Sequence, residues 1–345
     1  QIDFKAAAKA IQKYIDNYHM DVQLNKRINQ ISVGEAQRVE IIKTLYRGAD
    51  ILILDEPTAV LTPQETDKFF EILRSLKADG KSIVFISHKL NEVMEISDRI
   101  TVMRQGKYEG TMNASDTSPE DLARRMVGRD VLLRVEKESS EPGETILEIK
   151  DLWTSGDKEI SKIRGIDLTV LRGEILGVAG IDGNGQSELI EAINGLRKVE
   201  RGTIKINGID ITNKSPLEIR ESGIAHVPED RNTRGLNRSF NIMDNLLAVK
   251  FNHPPFSRGI AVDEKEKKKF SETLIERFDI RPKDPFYLVE ALSGGNAQKI
   301  VIAREVANEG SLLIAAQPTR GVDIGAIESI RQILNDVTSS GRGLL

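Results

Sequence analysis

Cysteine is absent from the 345 residues. That excludes a disulfide framework and thiolate metal sites, and it suits a reducing compartment without requiring one. Aromatic residues are scarce, with one Trp, five Tyr and ten Phe, and rings so scattered read as packing residues rather than base-stacking platforms. No stretch approaches the roughly 18 consecutive apolar residues of a membrane span, so a membrane role has to run through a partner. Strong charge of one sign is missing too. Lys plus Arg number 49 against 53 Asp plus Glu, for a net charge of −4, and no global field draws the chain to nucleic acid. The amino terminus, QIDFKAAAKAIQKYIDNYHM, has no initiating Met and no signal-peptide core. It reads as an amphipathic helix, and the chain as a fragment.

What the chain does have is a long repeat. ISVGEAQRVEIIKTLYRGADILILDEPTAVLTPQETDKFFEIL from Ile31 returns as LSGGNAQKIVIAREVANEGSLLIAAQPTRGVDIGAIESIRQIL from Leu292, an offset of 261. The offset holds without a gap from Ser32/Ser293 through Pro57/Pro318 and Leu73/Leu334 to Gly80/Gly341. Repetition on this scale means a duplicated domain and outranks local pattern.

The coarse reading follows. Residues 1–45 are expected to be helical, with Phe4, Ala8, Ile11 and Ile15 at helical spacing. Strands are expected at 51–54 and 83–86, around a helix at 63–78 opened by Pro63. Residues 100–111 read as a hairpin about Gln105-Gly106, and Ser118 caps a short helix to about Val127. The charged, turn-rich EKESSEPGE, 136–144, reads as a linker between units 1–135 and 145–345. Beyond it come strands at 146–152 and 163–171, an apolar approach EILGVAG at 174–180, a helix from about Gln186 and a helical subdomain over 241–290. The run DEKEKKK at 263–269 reads as a solvated helix face, and Trp153 as a core residue, the alternative being an aromatic that stacks on a ligand.

Two segments carry chemistry. ADILILDEPT, 49–58, is an apolar run ending in two carboxylates, the way a buried parallel strand delivers acids to the edge of an α/β sheet; the plain alternative is an exposed acidic turn. GIDGNGQS, 180–187, has the glycine spacing of a phosphate-cradling loop between a strand and a helix, with Gln186 where a lysine belongs. Glutamine can donate a hydrogen bond to phosphate but cannot supply a unit charge, which at contact distance and an effective dielectric of 20 is worth about 4 kcal/mol. In the repeat, Asp55 is matched by Ala316 and Glu56 by Gln317. The second copy is chemically blunted.

SVGEAQR, LDEPT and FISHKL in that order resemble the signature motif, Walker B motif, D-loop and switch histidine of ATP-binding cassette (ABC) ATPases. The chain is most similar to the two-cassette ATPases of bacterial importers of simple sugars and nucleosides, through LDEPTAVLTPQE, VPEDR and QPTRGVDIGA; GIDGNGQSELIEA and IAAQPTRGVD resemble the nucleoside-uptake branch. The resemblance implies an α/β fold of two tandem P-loop (RecA-like) cassettes, each with a helical subdomain. At the offset of 261, the first cassette's phosphate loop would fall at −81 and the second's switch histidine at 349, so the first is expected to be cut at its amino end and the second at its carboxyl end.

The same resemblance implies residue roles. Glu56 and His88 would be catalytic; Asp55 would hold Mg²⁺ through water, and Ser187 would contribute weakly. ATP would be contacted by the signature residues Ser32 and Gly34 and by Ser293, Gly294 and Gly295. The degenerate loop would add Gly180, Gly183, Asn184, Gly185, Gln186, Ser187 and Glu188, and Glu229 would stand where the family usually has glutamine. Cassettes of this family pair head to tail, which would place Glu56 with Ser293-Gly294-Gly295 and the blunted loop with the signature holding Val33. The implied function is an ATPase at the cytoplasmic face of the membrane, serving two permease subunits and an extracytoplasmic solute-binding protein, with no nucleic-acid partner. A soluble two-cassette ATPase acting on ribosomes or nucleic acid is the alternative; its blunted second site, short linker and negative charge speak against it.

Overall fold

The computed structural model describes residues 3–31, 33–59, 61–130, 143–155, 163–180, 184–258 and 261–345. The chain divides into two compact units, Gln1–Val131 and Leu132–Leu345. The expected linker lies largely outside the described residues.

The first unit opens with α1 (Phe4–Asn17), capped by the Asp3 side chain, and continues with α2 (Val33–Tyr46). The expected single helix over 1–45 is therefore interrupted. His19 takes a left-handed backbone, and beyond Ile15 the residues turned inward are Tyr18 and Met20, two apart, so no helical stripe continues. Strands β1 (Ile51–Asp55) and β2 (Ser82–Ile86) pair in parallel around α3 (Pro63–Ala78). Thr62 and Glu65 form a reciprocal capping box there, with Pro63 at the first helical position. Next come α4 (Leu90–Ile96), the hairpin β3 (Arg99–Arg104) and β4 (Lys107–Asn113), and α5 (Pro119–Val127).

In the second unit β5 (Thr145–Thr154) pairs antiparallel with β6 (Ile163–Leu171), and α6 (Gln186–Ile193) follows. Strands β7 (Val199–Ile206) and β8 (Ile209–Asp210) complete an antiparallel sheet ordered β6-β5-β7-β8. After α7 (Pro216–Glu221) and β9 (Ile224–Val227) comes the helical subdomain. It holds α8 (Ile242–Leu247), the short hairpin β10 (Ser257–Arg258) and β11 (Ala261–Val262), and α9 (Glu264–Arg277). Then α10 (Gly294–Val306), β12 (Leu312–Ala315), α11 (Ile324–Ser339) and β13 (Gly343–Leu344) close the unit, the last strands forming a parallel sheet ordered β13-β12-β9.

The parallel sheet sits between two cores because successive side chains of a strand point to opposite faces. Leu312 and Ile314 of β12 enter the core shared with the antiparallel sheet and α6, whereas Leu313 enters the core of α8, α9, α10 and α11. The expected strand at 174–180 is seen as a single bridge, Ile175 to Leu344. Within DEKEKKK one residue departs from a solvated face: Lys267 is buried, its ammonium bonded to Asp244 and Glu264.

The repeat is visible as geometry. Strand pairing Ile51↔Ser82 recurs as Leu312↔Gly343, and the caps Thr62 and Asp323 open helices at matching positions. The two units are nevertheless not two cassettes. No four-stranded antiparallel sheet faces β1 and β2 among the described residues of the first unit. Ile51 and Ile53 are accordingly 64% and 71% exposed, whereas their counterparts Leu312 and Ile314 are at 0% and 1%. The expected pair of tandem cassettes is corrected to one cassette fold, in the second unit, preceded by a smaller α/β unit.

Candidate functional site

In the first unit β1 ends at Asp55, whose carboxylate is exposed, and the chain turns through Glu56 with φ 47°. A left-handed backbone is costly for a residue with a Cβ and persists only where its surroundings fix it. The Glu56 N–H donates to the Ile86 carbonyl at 2.9 Å, tying the turn to the end of β2. His88 stands just beyond β2. Its backbone N–H donates to Glu56 Oε1 at 3.2 Å and its ring Nδ1 meets the same oxygen at 2.7 Å. With Nδ1–H donating to the carboxylate, Nε2 is the ring's other polar atom. Glu56 Oε2 is buried and has no hydrogen-bond partner among the described residues. One oxygen is anchored, and the other, enclosed by the protein, keeps acceptor capacity that no described residue satisfies.

A second tier, unnoticed in the sequence, fixes this turn. Thr58 is fully buried; its hydroxyl donates to Glu92, and Lys89 Nζ donates to the Thr58 carbonyl at 2.8 Å and to Glu92 Oε1 at 2.9 Å. The only signal was the position of Lys89 and Glu92 one and four residues after His88. Gly34 lies in the first turn of α2, where an added Cβ would stand 3.0 Å from Glu65 Oε1. Ser32 lies outside the described residues.

In the second unit Gly185, at φ 108°, precedes α6, with Gln186, Ser187 and Glu188 in its first turn. The Gln186 side chain folds over Gly180, where a Cβ would collide with its amide. Glu188 is buried, with Oε2 unpartnered among the described residues. Asn184 lies just ahead of Gly185, and Gly183 lies outside the described residues. Ser293 caps α10, accepting from Asn296. Gly294 and Gly295 are pinned by close approach, since a Cβ at either would come within 3 Å of the 321–326 segment. Trp153 is half-buried rather than a core residue; its Nε1 donates to Asp151 at 2.6 Å and Arg201 lies over its ring.

Beside α6 opens a cleft of about 480 Å³, bordered by Ser187, His226, Glu229, Arg231, Arg234 and Arg320. Gln317 repeats the backbone of Glu56 with φ 45°. Its Nε2 donates to Glu229 Oε1 at 3.0 Å, and Arg320 Nη1 donates to the same oxygen. Burial pushes the His226 ring down to about 4; Glu305 opposes the shift, while Arg220 and Arg234 reinforce it, so His226 is neutral at physiological pH.

The two regions differ in their fitness for Mg²⁺. No group of three or more His, Cys, Asp or Glu side chains converges as a metal site among the described residues, so a cation would rely on phosphate and water for most of its ligands, as Mg²⁺ commonly does. Asp55, with its carboxylate exposed at the end of β1, fits such a role. The second cleft does not: Ala316 and Gln317 replace the carboxylates, and Glu229 is already engaged.

The ABC transporter family model matches residues 3–59 and 163–320. A glucose import ATP-binding protein of Haloferax volcanii is 45% identical over 98% of this chain and 62% of its own length. A nucleoside import ATP-binding protein of Lactococcus lactis subsp. cremoris (45%) and a guanosine import ATP-binding protein of Bacillus subtilis (46%) align with 100% of the chain and 68% of their own lengths. The chain thus spans about two thirds of these relatives. An archaeal ribosome recycling factor, solved in complex with a ribosomal stalk protein, shares the fold with a TM-score of 0.64 at 18% identity, over 99% of this chain and 64% of its own. The full-length alignment to single-chain relatives, with the family match at 3–59 and 163–320, agrees with one cassette fold and not two in tandem. The head-to-tail pairing of two cassettes within the chain falls with that count.

Proposed function

This chain belongs to the ABC transporter family, and from that premise we propose that it is part of the ATP-binding subunit that energises an importer of nucleosides or simple sugars, with nucleosides favoured. The observation that carries the proposal is the Asp55–Glu56–His88 constellation at the carboxyl ends of two parallel strands. In this reading Glu56 orients and deprotonates the attacking water through Oε2, while His88 holds Oε1 and offers its other ring nitrogen toward the γ-phosphate. Mg²⁺, when bound, would offset phosphate charge, with Asp55 holding it through water. The cleft beside α6 is the nucleotide site of the second unit and lacks the groups for hydrolysis. Among the described residues no helix is long and apolar enough to cross a membrane, so two permease subunits would provide the path, a solute-binding protein would deliver cargo, and this chain would work from the cytoplasmic face.

The nucleoside preference rests on GIDGNGQSELIEA and IAAQPTRGVD, and on two relatives named for nucleoside and guanosine import. Uptake of labelled guanosine and labelled ribose by cells with and without the gene tests it. Loss of guanosine uptake with ribose uptake intact is expected; loss of neither refutes the importer reading, and loss of ribose uptake alone refutes the nucleoside branch.

A further inference from the structure

The second unit's cleft has changed charge relative to the matching region of the first. At the offset of 261, Asp55 gives way to Ala316, Glu56 to Gln317, and Ala59 to Arg320. Two carboxylates leave and one guanidinium arrives, all within five residues. Among the described residues, the three carboxylates that line the cleft are each engaged. Glu229 Oε1 accepts from Gln317 and Arg320, Asp230 accepts from Asn232 and Thr233, and Glu191 accepts from Arg197 and Arg234. The donors on the lining of the cleft are the Ser187 hydroxyl and arginine side chains, and the Gln317 amide reaches that lining only through its bond to Glu229.

Among the described residues no carboxylate cluster converges here to hold a divalent cation, and Arg320 stands where positive charge is needed. Its present partner is itself an anion. Arg320 and Glu229 remain 43% and 30% exposed, and an ion pair so open to solvent is weak enough to exchange. A phosphate oxygen is a better partner for guanidinium than a lone carboxylate oxygen, because phosphate presents more acceptors in the fork geometry arginine favours.

We propose that the second unit's cleft binds the phosphate chain of a nucleoside triphosphate without a divalent cation, Arg320 supplying the neutralising charge, and that Glu229 is a latch which occupies Arg320 and Gln317 until phosphate displaces it. The proposal rests on the reading of this cleft as a nucleotide site. It adds a consequence for Glu229: nucleotide entry frees its carboxylate, while Arg231 still ties the loop to the Arg320 and Gly321 carbonyls.

Calorimetric titration of the chain with ATP, once in excess EDTA and once in millimolar Mg²⁺, tests this. The affinity is expected to agree within about twofold between the buffers, since no cation is recruited. Arg320→Ala is expected to weaken binding about tenfold or more in both, as loss of a charge-assisted hydrogen bond does, and Arg320→Lys to recover part of it. Glu229→Gln, which removes the competing charge from a solvent-facing position, is expected to tighten binding about threefold. Binding that appears only with Mg²⁺, or that ignores Arg320→Ala, overturns the latch and leaves the nucleotide reading standing. Absence of ATP binding in both buffers overturns both.

Discussion

Glu56 and Gln317 share one backbone geometry, φ 47° and φ 45°, at the ends of equivalent strands, and differ in whether the side chain can carry a negative charge and take up a proton. That single difference was legible in the sequence, because the offset of 261 sets the two residues in register. The partners that give each side chain its role were less legible. His88 follows Glu56 closely enough to be read from FISHKL, but Glu229 meets Arg320 from 91 positions away, and no local pattern announces such a contact. His226 was invisible for the same reason. It is half-buried on β9, with its backbone N–H donating to Glu305 and its enclosed Nε2 unpartnered among the described residues. Below about pH 6.5 the unfolded chain takes up a proton that the folded ring refuses until about 4. Stability is therefore expected to fall as pH drops through that window, by up to about 3 kcal/mol from this group. Urea denaturation at pH 7 and pH 4.5 checks it, since His226→Gln is expected to lose part of the acid sensitivity; an unchanged difference between the two pH values would show that the ring carries no such penalty.

Among elements, the helix and strand bounds set by Pro63, Gln105-Gly106 and Ser118 matched the structure closely because each is fixed by local turn or capping chemistry. The misses came where tertiary pairing decides. The segment after Asn17 abandons helix for a turn that buries Tyr18 and Met20, and the approach to Gly180 makes one bridge, to Leu344. Equivalent strands also differ in what burial gains them, and this is measurable. Ile314→Ala is expected to cost about 2–5 kcal/mol, the usual range for emptying a packed core position. Ile53→Ala, at the matching but exposed position, is expected to cost under about 1 kcal/mol, because little apolar surface leaves water there on folding. Chemical denaturation of the two variants decides; similar costs would mean that the face of β1 is covered in solution.

For the whole molecule, the sequence made the duplication plain but not the number of cassettes. The repeat spans the strand–helix–strand core, whereas a cassette is completed by the antiparallel sheet and the loop ahead of α6, and those are built by residues outside the repeat. The asymmetry between the units is the property with functional weight. A carboxylate–histidine constellation is assembled in the first, and in the second, on the proposed reading a nucleotide site, Ala316 and Gln317 stand where the first has two carboxylates and Arg320 where it has Ala59. The most direct test is ATP turnover by the protein assembled with the membrane subunits proposed for it, comparing Glu56→Gln with Gln317→Ala. Glu56→Gln is expected to slow turnover about 10²-fold or more, as loss of a general base does, while Gln317→Ala leaves it within about twofold. Equal losses from the two substitutions, or a greater loss from Gln317→Ala, would contradict the account.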